Sequence, residues 1–127
     1  MANGLQNIET TAIEILSDLG RFTATSFWED GPAGYLAERA KTAGLDVLID
    51  EWGNVLATKA GSDSSAPGIA FVAHMDHPGF EAIELRDDTL VAEARGGVPQ
   101  ASFADPITSP IPVEVVAVSG QRWKAQL

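Results

Sequence analysis

The chain has 127 residues, of which 45% are hydrophobic and 20% are charged, a composition typical of a globular protein with a hydrophobic core. Eighteen acidic and eight basic residues give a net charge of −10, which repels phosphate backbones and anionic lipids and argues against nucleic acid or membranes as partners. Because the chain contains no cysteine, disulfides, thiolate catalysis and cysteine-based zinc sites are excluded.

The first residues lack the features of a secretory signal. Residues 1–7 contain neither a basic stretch nor an apolar run, and no segment of the sequence approaches the ~18 consecutive apolar residues of a membrane span. We therefore expect the protein in the cytoplasm.

Two helices are predicted in the first third of the chain. Apolar residues recur at helical spacing between Ile8 and Leu19, with Gly20 as the stop signal. A second helix is predicted over Pro32 to Ala43, ending at Gly44. The loop between them contains three aromatic residues, which we expect to pack beneath the loop rather than to bind a ligand: Phe22, Phe27 and Trp28.

Strand-like patterns follow the second helix. Leu45 to Asp50 and Val55 to Lys59 flank a turn that contains Gly53 and Asn54, so a hairpin is predicted. After a polar loop, the segment Gly68 to Ala73 has no polar side chain, so a strand formed by it would be apolar on both faces. Such a strand is typical of the middle of an α/β sheet, where it is buried on both sides.

The second half of the chain shows strand patterns without helical periodicity. Turn signals such as Asp87-Asp88, Gly96-Gly97 and Ser119-Gly120 separate the patterns. This arrangement predicts the beginning of a second, all-β module. The predicted strands are Phe80 to Leu85, Thr89 to Ala94, Val113 to Val118 and Gln121 to Ala125.

The residues with the clearest chemical meaning are His74 and Asp76, which directly follow the apolar strand. Ligand sites in open α/β sheets lie beyond the carboxyl ends of such strands. In extended backbone, residues two apart point to the same side, so the Asp76 carboxylate can accept the N–H of the His74 ring and leave the other ring nitrogen for a metal.

A His-x-Asp triplet alone does not establish that His74 binds a metal. A histidine can also cap the end of a strand through hydrogen bonds. For His77 we favour a structural role, because Pro78 and Gly79 indicate that it enters a turn.

The order of these motifs resembles the glutamyl-aminopeptidase and deblocking-aminopeptidase family of two-metal peptidases. That family opens with a helix, a small loop, a second helix, a strand, a Gly-Asn turn, a further strand and an apolar strand ending in Ala-His-x-Asp. In this chain the matching segments are Ile8 to Leu19, Ser26 to Gly31, Pro32 to Ala43, Leu45 to Asp50, Gly53 to Lys59 and Gly68 to Asp76. Pro78-Gly79-Phe80 and Gly96-Gly97-Val98 also resemble the family, so the likeness covers nearly the whole chain.

The resemblance implies a fold and a domain organisation. Residues 1–79 would be the N-terminal part of a three-layer α/β/α metallopeptidase domain, and residues 80–127 the incomplete start of an inserted, barrel-like β domain. The remaining metal ligands of the family follow that inserted domain and have no counterpart in this chain. We therefore expect the chain alone to be inactive and to bind metal weakly at best.

The resemblance also implies site residues, cofactors and partners. His74 would be a terminal ligand of one metal, and Asp76 would be the catalytic-site residue that orients it. The complete enzyme would use two zinc or cobalt ions to hydrolyse N-terminal residues from peptides with a free N-terminus, and it would form a homo-oligomer. His77 departs from the family, whose members often carry an acidic residue there.

Two other functions stay open at this level. The chain could be a non-catalytic interaction module on a peptidase-like scaffold, or it could belong to a related metal-dependent carboxypeptidase or deacylase. The early all-β character after Phe80 argues against the carboxypeptidase and deacylase relatives, which usually insert a helix-containing dimerisation domain much later in the chain.

Overall fold

The computed structural model describes residues 2–97 and 110–127. These residues divide between two compact units, Met1–Asp76 and His77–Leu127. None of the helices in the described parts of the chain has both the length and the apolar character needed to cross a membrane. The elements in chain order are α1 (Ala2–Leu19), α2 (Asp30–Thr42), β1 (Asp46–Ile49), β2 (Val55–Thr58), β3 (Gly79–Arg86), β4 (Thr89–Arg95), β5 (Pro112–Val116) and β6 (Arg122–Gln126).

Both predicted helices are present. α1 starts six residues before the predicted Ile8, but its apolar stripe is largely unpacked, with Ile8 67% and Leu16 69% exposed. α2 ends as the sequence predicts, because Gly44 adopts a left-handed φ of 76°. The amides of Gly44 and Leu45 donate to the carbonyl oxygens of Lys41 and Ala40, which is the Schellman arrangement that terminates helices.

The buried centre of the first unit is small. It lies where the loop before α2 meets the first half of that helix, and α2 also packs against β1 and β2. The rings of Phe22 and Tyr35 are in contact, with centroids 5.8 Å apart. The prediction of aromatic packing is therefore confirmed for Phe22 and wrong for Phe27 and Trp28, which are 88% and 48% exposed. The buried residues are Ala24, Thr25, Pro32, Ala33 and Ala37.

The predicted hairpin after α2 is confirmed. β1 and β2 pair antiparallel from Asp46 opposite Thr58 to Ile49 opposite Val55. Gly53 in the connecting turn has a φ of 85°, a conformation that favours glycine.

The second unit contains two further hairpins, at the four strands that the sequence predicts, with ends shifted by one or two residues. β3 pairs antiparallel with β4, and a bulge lies between Ala82 and Glu84. β5 pairs antiparallel with β6, and Gly120 supplies the left-handed residue of the turn between them. Val98, part of the Gly-Gly-Val motif, lies outside the described residues.

The predicted three-layer α/β/α fold is wrong. In residues 2–97 and 110–127, the strands form three separate two-stranded antiparallel sheets, and each pairs neighbours in the chain. Gly68 to Ala73 is not a strand, and its side chains at Ile69, Phe71 and Val72 are 85%, 96% and 94% exposed.

The physical reason is strand pairing. A strand buried on both faces needs neighbouring strands for its backbone and helices for its side chains. A hairpin closes a short loop at low entropic cost, whereas a central parallel strand needs partners far away in the chain. Here the hairpins form and Gly68 to Ala73 stays unpaired among the described strands. The predicted barrel-like start is likewise wrong, since the described strands after Phe80 form two separate hairpins.

Candidate functional site

His74 and Asp76 lie in a segment without regular secondary structure, after β2 in the chain. The Nδ1 atom of the His74 ring lies 2.8 Å from the backbone oxygen of Asp76. It also lies 3.2 Å from the carboxylate Oδ1 of Asp76. The structure therefore brings together the two residues that the sequence singles out, although they do not follow a buried strand.

The partners of the His74 ring determine where its proton lies. A backbone carbonyl oxygen and a carboxylate oxygen both accept hydrogen bonds, so Nδ1 is the ring nitrogen that donates. A neutral imidazole carries one proton, and Nε2 consequently keeps its lone pair. This is the tautomer in which a histidine binds a metal ion through Nε2. The side chain is 82% exposed, so nothing in its burial prevents access to that nitrogen.

A third residue, Ser26, completes the cluster. Its hydroxyl donates to the Oδ2 atom of Asp76 at 2.8 Å, across 50 positions of sequence. The two carboxylate oxygens of Asp76 thus have different partners: Oδ1 faces His74 and Oδ2 faces Ser26.

The environment of Asp76 favours its ionised form. The hydrogen bond from Ser26 lowers the pKa of the Asp76 carboxyl below its ordinary value. Partial desolvation opposes this lowering of the pKa, and the nearby His74 ring adds to it. The carboxyl is therefore a carboxylate near neutral pH, able to accept from both neighbours.

The donor set fits one ligand position for a divalent metal. Imidazole nitrogen is a normal ligand for zinc and cobalt, and a carboxylate behind the ring is a common supporting group. Within residues 2–97 and 110–127, no three His, Asp or Glu side chains lie close enough together to hold a metal ion. The metal role of His74 stays a prediction.

His77 has its own local partner. Its Nδ1 atom lies 3.2 Å from the backbone oxygen of Pro78. Both histidine rings thus direct Nδ1 at a backbone oxygen. Since His77 lies three residues from His74 and the sequence favours a structural role for it, His77 is a useful control for experiments on His74.

Ser26 was not recognised as a site residue from the sequence. It belongs to the small loop of the motif order described above, but no local signal connects it with a residue 50 positions away. A contact of this kind depends on how the loop before α2 is folded, and that is determined by tertiary packing.

No protein-family model matches this chain, and neither the search of curated proteins nor that of solved structures found a match. What the chain does must therefore be inferred from its own residues and their geometry.

Proposed function

We propose that this chain is part of a metal-dependent aminopeptidase, in which His74 supplies one ligand to a catalytic metal. The observation that supports the proposal is the pairing of His74 Nδ1 with two acceptor oxygens of Asp76, which leaves the lone pair of Nε2 available to a metal ion. The order of motifs along the chain supports the same class of enzyme.

The roles of the two residues follow from their chemistry. Asp76 keeps the proton on Nδ1 and makes Nε2 a better donor, and His74 would hold the metal through Nε2. Divalent zinc or cobalt, when bound, polarises a peptide carbonyl and lowers the pKa of a water molecule. The substrates in this proposal are peptides with a free N-terminus, and the cytoplasmic location predicted from the sequence belongs to the same proposal.

A catalytic zinc site usually has about three protein ligands, and His74 supplies one. The other ligands would come from outside the described residues. We therefore expect the 127-residue chain to bind zinc weakly and to have no peptidase activity of its own.

The proposal is tested with the product of the complete reading frame, loaded with zinc or cobalt. We expect it to hydrolyse aminoacyl p-nitroanilides and to lose this activity on His74→Ala substitution or chelation. His77→Ala is the matched control and should retain activity. Hydrolysis by the isolated 127-residue chain, or full activity of the His74→Ala enzyme, would contradict the proposal.

A specific observation also favours a second function, a non-catalytic interaction module. Ile69, Phe71 and Val72 form an exposed apolar stretch in a segment with no strand partner among the described residues. Surfaces of this kind are typical of association sites, and a homo-oligomer is the partner that the sequence resemblance favours. A complete reading-frame product that associates but hydrolyses no aminoacyl substrate would support this alternative.

A further inference from the structure

The loop that carries Ser26 is held in a defined turn. The amide of Trp28 donates to the carbonyl oxygen of Thr25 at 2.8 Å, which closes a four-residue turn with Ser26 at its second position. The residues that lead into this turn are buried, with Ala24 2% and Thr25 8% exposed. Ser26 is therefore attached to the buried centre of the first unit.

The turn contains a backbone conformation that residues other than glycine rarely adopt. Phe27 has a φ of 75° at the third position of the turn. Its ring is 88% exposed, so burial of the aromatic side chain does not compensate for the strain. Strained backbone of this kind persists where the surrounding structure requires it, and it often lies next to functional groups. Here the residue next to it is the one that donates to Asp76.

The His74 ring depends on hydrogen bonds for its orientation. At 82% exposure the ring has little packing around it, and its partners are two oxygens of Asp76. The Asp76 carboxylate is 35% exposed, and Ser26 holds the oxygen that does not face the ring. A carboxylate without that hydroxyl can rotate about its side-chain bonds and withdraw Oδ1 from the ring.

We propose that Ser26 is a positioning residue for the metal ligand: its hydroxyl fixes the Asp76 carboxylate, which together with the backbone oxygen of Asp76 fixes the orientation and tautomer of His74. This inference rests on the proposed function, because the metal site to which it assigns Ser26 is part of that proposal. Ser26 would act through Asp76, to which its hydroxyl donates, and not as a ligand. Mutation of the groups that hydrogen-bond a metal-binding histidine commonly lowers the metal affinity by about 10- to 100-fold.

The test uses the 127-residue chain without metal, at a pH where the imidazole is neutral. The ¹⁵N shifts of the His74 ring nitrogens report which nitrogen carries the proton. We expect the Nδ1–H form to dominate in the original chain, to decrease in Ser26→Ala and to be retained in Ser26→Thr, which keeps a hydroxyl. Ser65→Ala is the matched control, because Ser65 Oγ donates to a different carboxylate, Asp63, at 2.7 Å.

A second measurement links the tautomer to the metal. In a Zn²⁺ titration followed by the His74 ring signals, Ser26→Ala should bind zinc several-fold to tenfold more weakly than the original chain, with Ser26→Thr close to the original. Unchanged ring shifts in Ser26→Ala would overturn the inference. Equal changes in Ser26→Ala and Ser26→Thr would also overturn it, because the hydroxyl would then not be responsible.

Failure of this inference and failure of the proposed function give different results. The ring shifts are measured without metal, so they decide the role of Ser26 whether or not the complete protein is a peptidase. The proposed function fails when His74→Ala leaves the activity of the complete, metal-loaded protein unchanged, and that result does not alter the ring shifts.

Discussion

Oδ1 of Asp76 lies 3.2 Å from Nδ1 of His74, so a negative charge faces the side of the ring opposite Nε2. Replacement by asparagine keeps the shape of the side chain and removes that charge. Because the carboxylate makes Nε2 a stronger donor, Asp76→Asn should lower the Zn²⁺ affinity of the chain about tenfold. The measurement is a Zn²⁺ titration followed by the His74 ring signals in NMR spectra.

Asp63→Asn is the control for this substitution. Asp63 also accepts a hydrogen bond from a serine hydroxyl, that of Ser65 at 2.7 Å, but no histidine faces it in the described contacts. Its substitution should leave the zinc titration unchanged. Equal affinities of the Asp76→Asn and original chains would remove the support for a charge behind the ring.

The turn between β1 and β2 should depend on pH. The Asp50 carboxylate accepts from the amide of Trp52 at 2.9 Å and from the backbone and side-chain nitrogens of Asn54, each at 2.8 Å. The side chain of Asn54 is the largest cause that lowers the pKa of Asp50, and the backbone amides add to it. A carboxyl whose pKa is lower in the folded state stabilises that state above its unfolded pKa. We therefore expect the turn to be fully stabilised at neutral pH and to lose this contribution as the pH falls through the lowered pKa of Asp50.

The pKa of Asp50 can be measured from the pH dependence of its carboxyl signal. Asn54→Ala removes the largest cause and should move the pKa of Asp50 upward, toward its ordinary value. The pKa of Asp63 is lowered by a different hydrogen bond, from Ser65, and should not change in this variant. A pKa of Asp50 that is the same with and without the Asn54 side chain would contradict the prediction.

Gly31 in α2 lies against an aromatic ring. A Cβ atom at this position would lie 2.7 Å from Cδ1 of Phe22, closer than atoms in contact allow. Gly31→Ala should therefore force Phe22 away from Tyr35, at a cost of about 1–3 kcal/mol in the free energy of unfolding. Gly34, in the same helix, has no atom within 4 Å of such a Cβ. Gly34→Ala should gain up to about 1 kcal/mol from helix propensity alone.

The two variants are compared by urea unfolding followed by circular dichroism. Since both replace glycine by alanine in one helix, the difference between them reports the contact with Phe22. If Gly31→Ala is as stable as Gly34→Ala, the ring moves without cost and the contact contributes nothing to stability.

The elements that could be predicted from the sequence are those determined by neighbouring residues. Gly44 stops α2, and Gly53 and Gly120 form their turns because each position needs a left-handed φ. Hairpin pairing then follows from the turn, since the register of the strands is determined by the residues that connect them. These features depend on a few residues at a time.

The layer order could not be predicted in the same way. The apolar pattern of Gly68 to Ala73 indicates that the segment can be buried, but it contains no information about which strand pairs with it. In the structure no described strand does, and the segment is exposed. A pattern of burial in the sequence becomes a buried strand only when partners from elsewhere in the chain are in place.

The candidate site was predictable in part for the same reason. His74 and Asp76 are two residues apart, and their contact is a local one. The contact of Asp76 with Ser26 spans 50 positions and depends on the turn before α2, whose left-handed residue, Phe27, is not one that the sequence marks as a turn former.

The exposed apolar segment predicts concentration-dependent association. Val72 is 94% exposed within the Gly68 to Ala73 segment, whereas Val118 is 87% exposed in the turn between β5 and β6. Burial of one valine side chain stabilises a contact by roughly 1.5 kcal/mol, so Val72→Lys should weaken association about tenfold or more. High salt should strengthen association, because it screens the repulsion between chains of net charge −10. Val118→Lys makes the same change of charge at similar exposure and should leave association unchanged. Sedimentation equilibrium over a range of protein concentrations measures both variants. A chain that stays monomeric at every concentration, or equal effects of the two substitutions, would show that the segment is not an association surface.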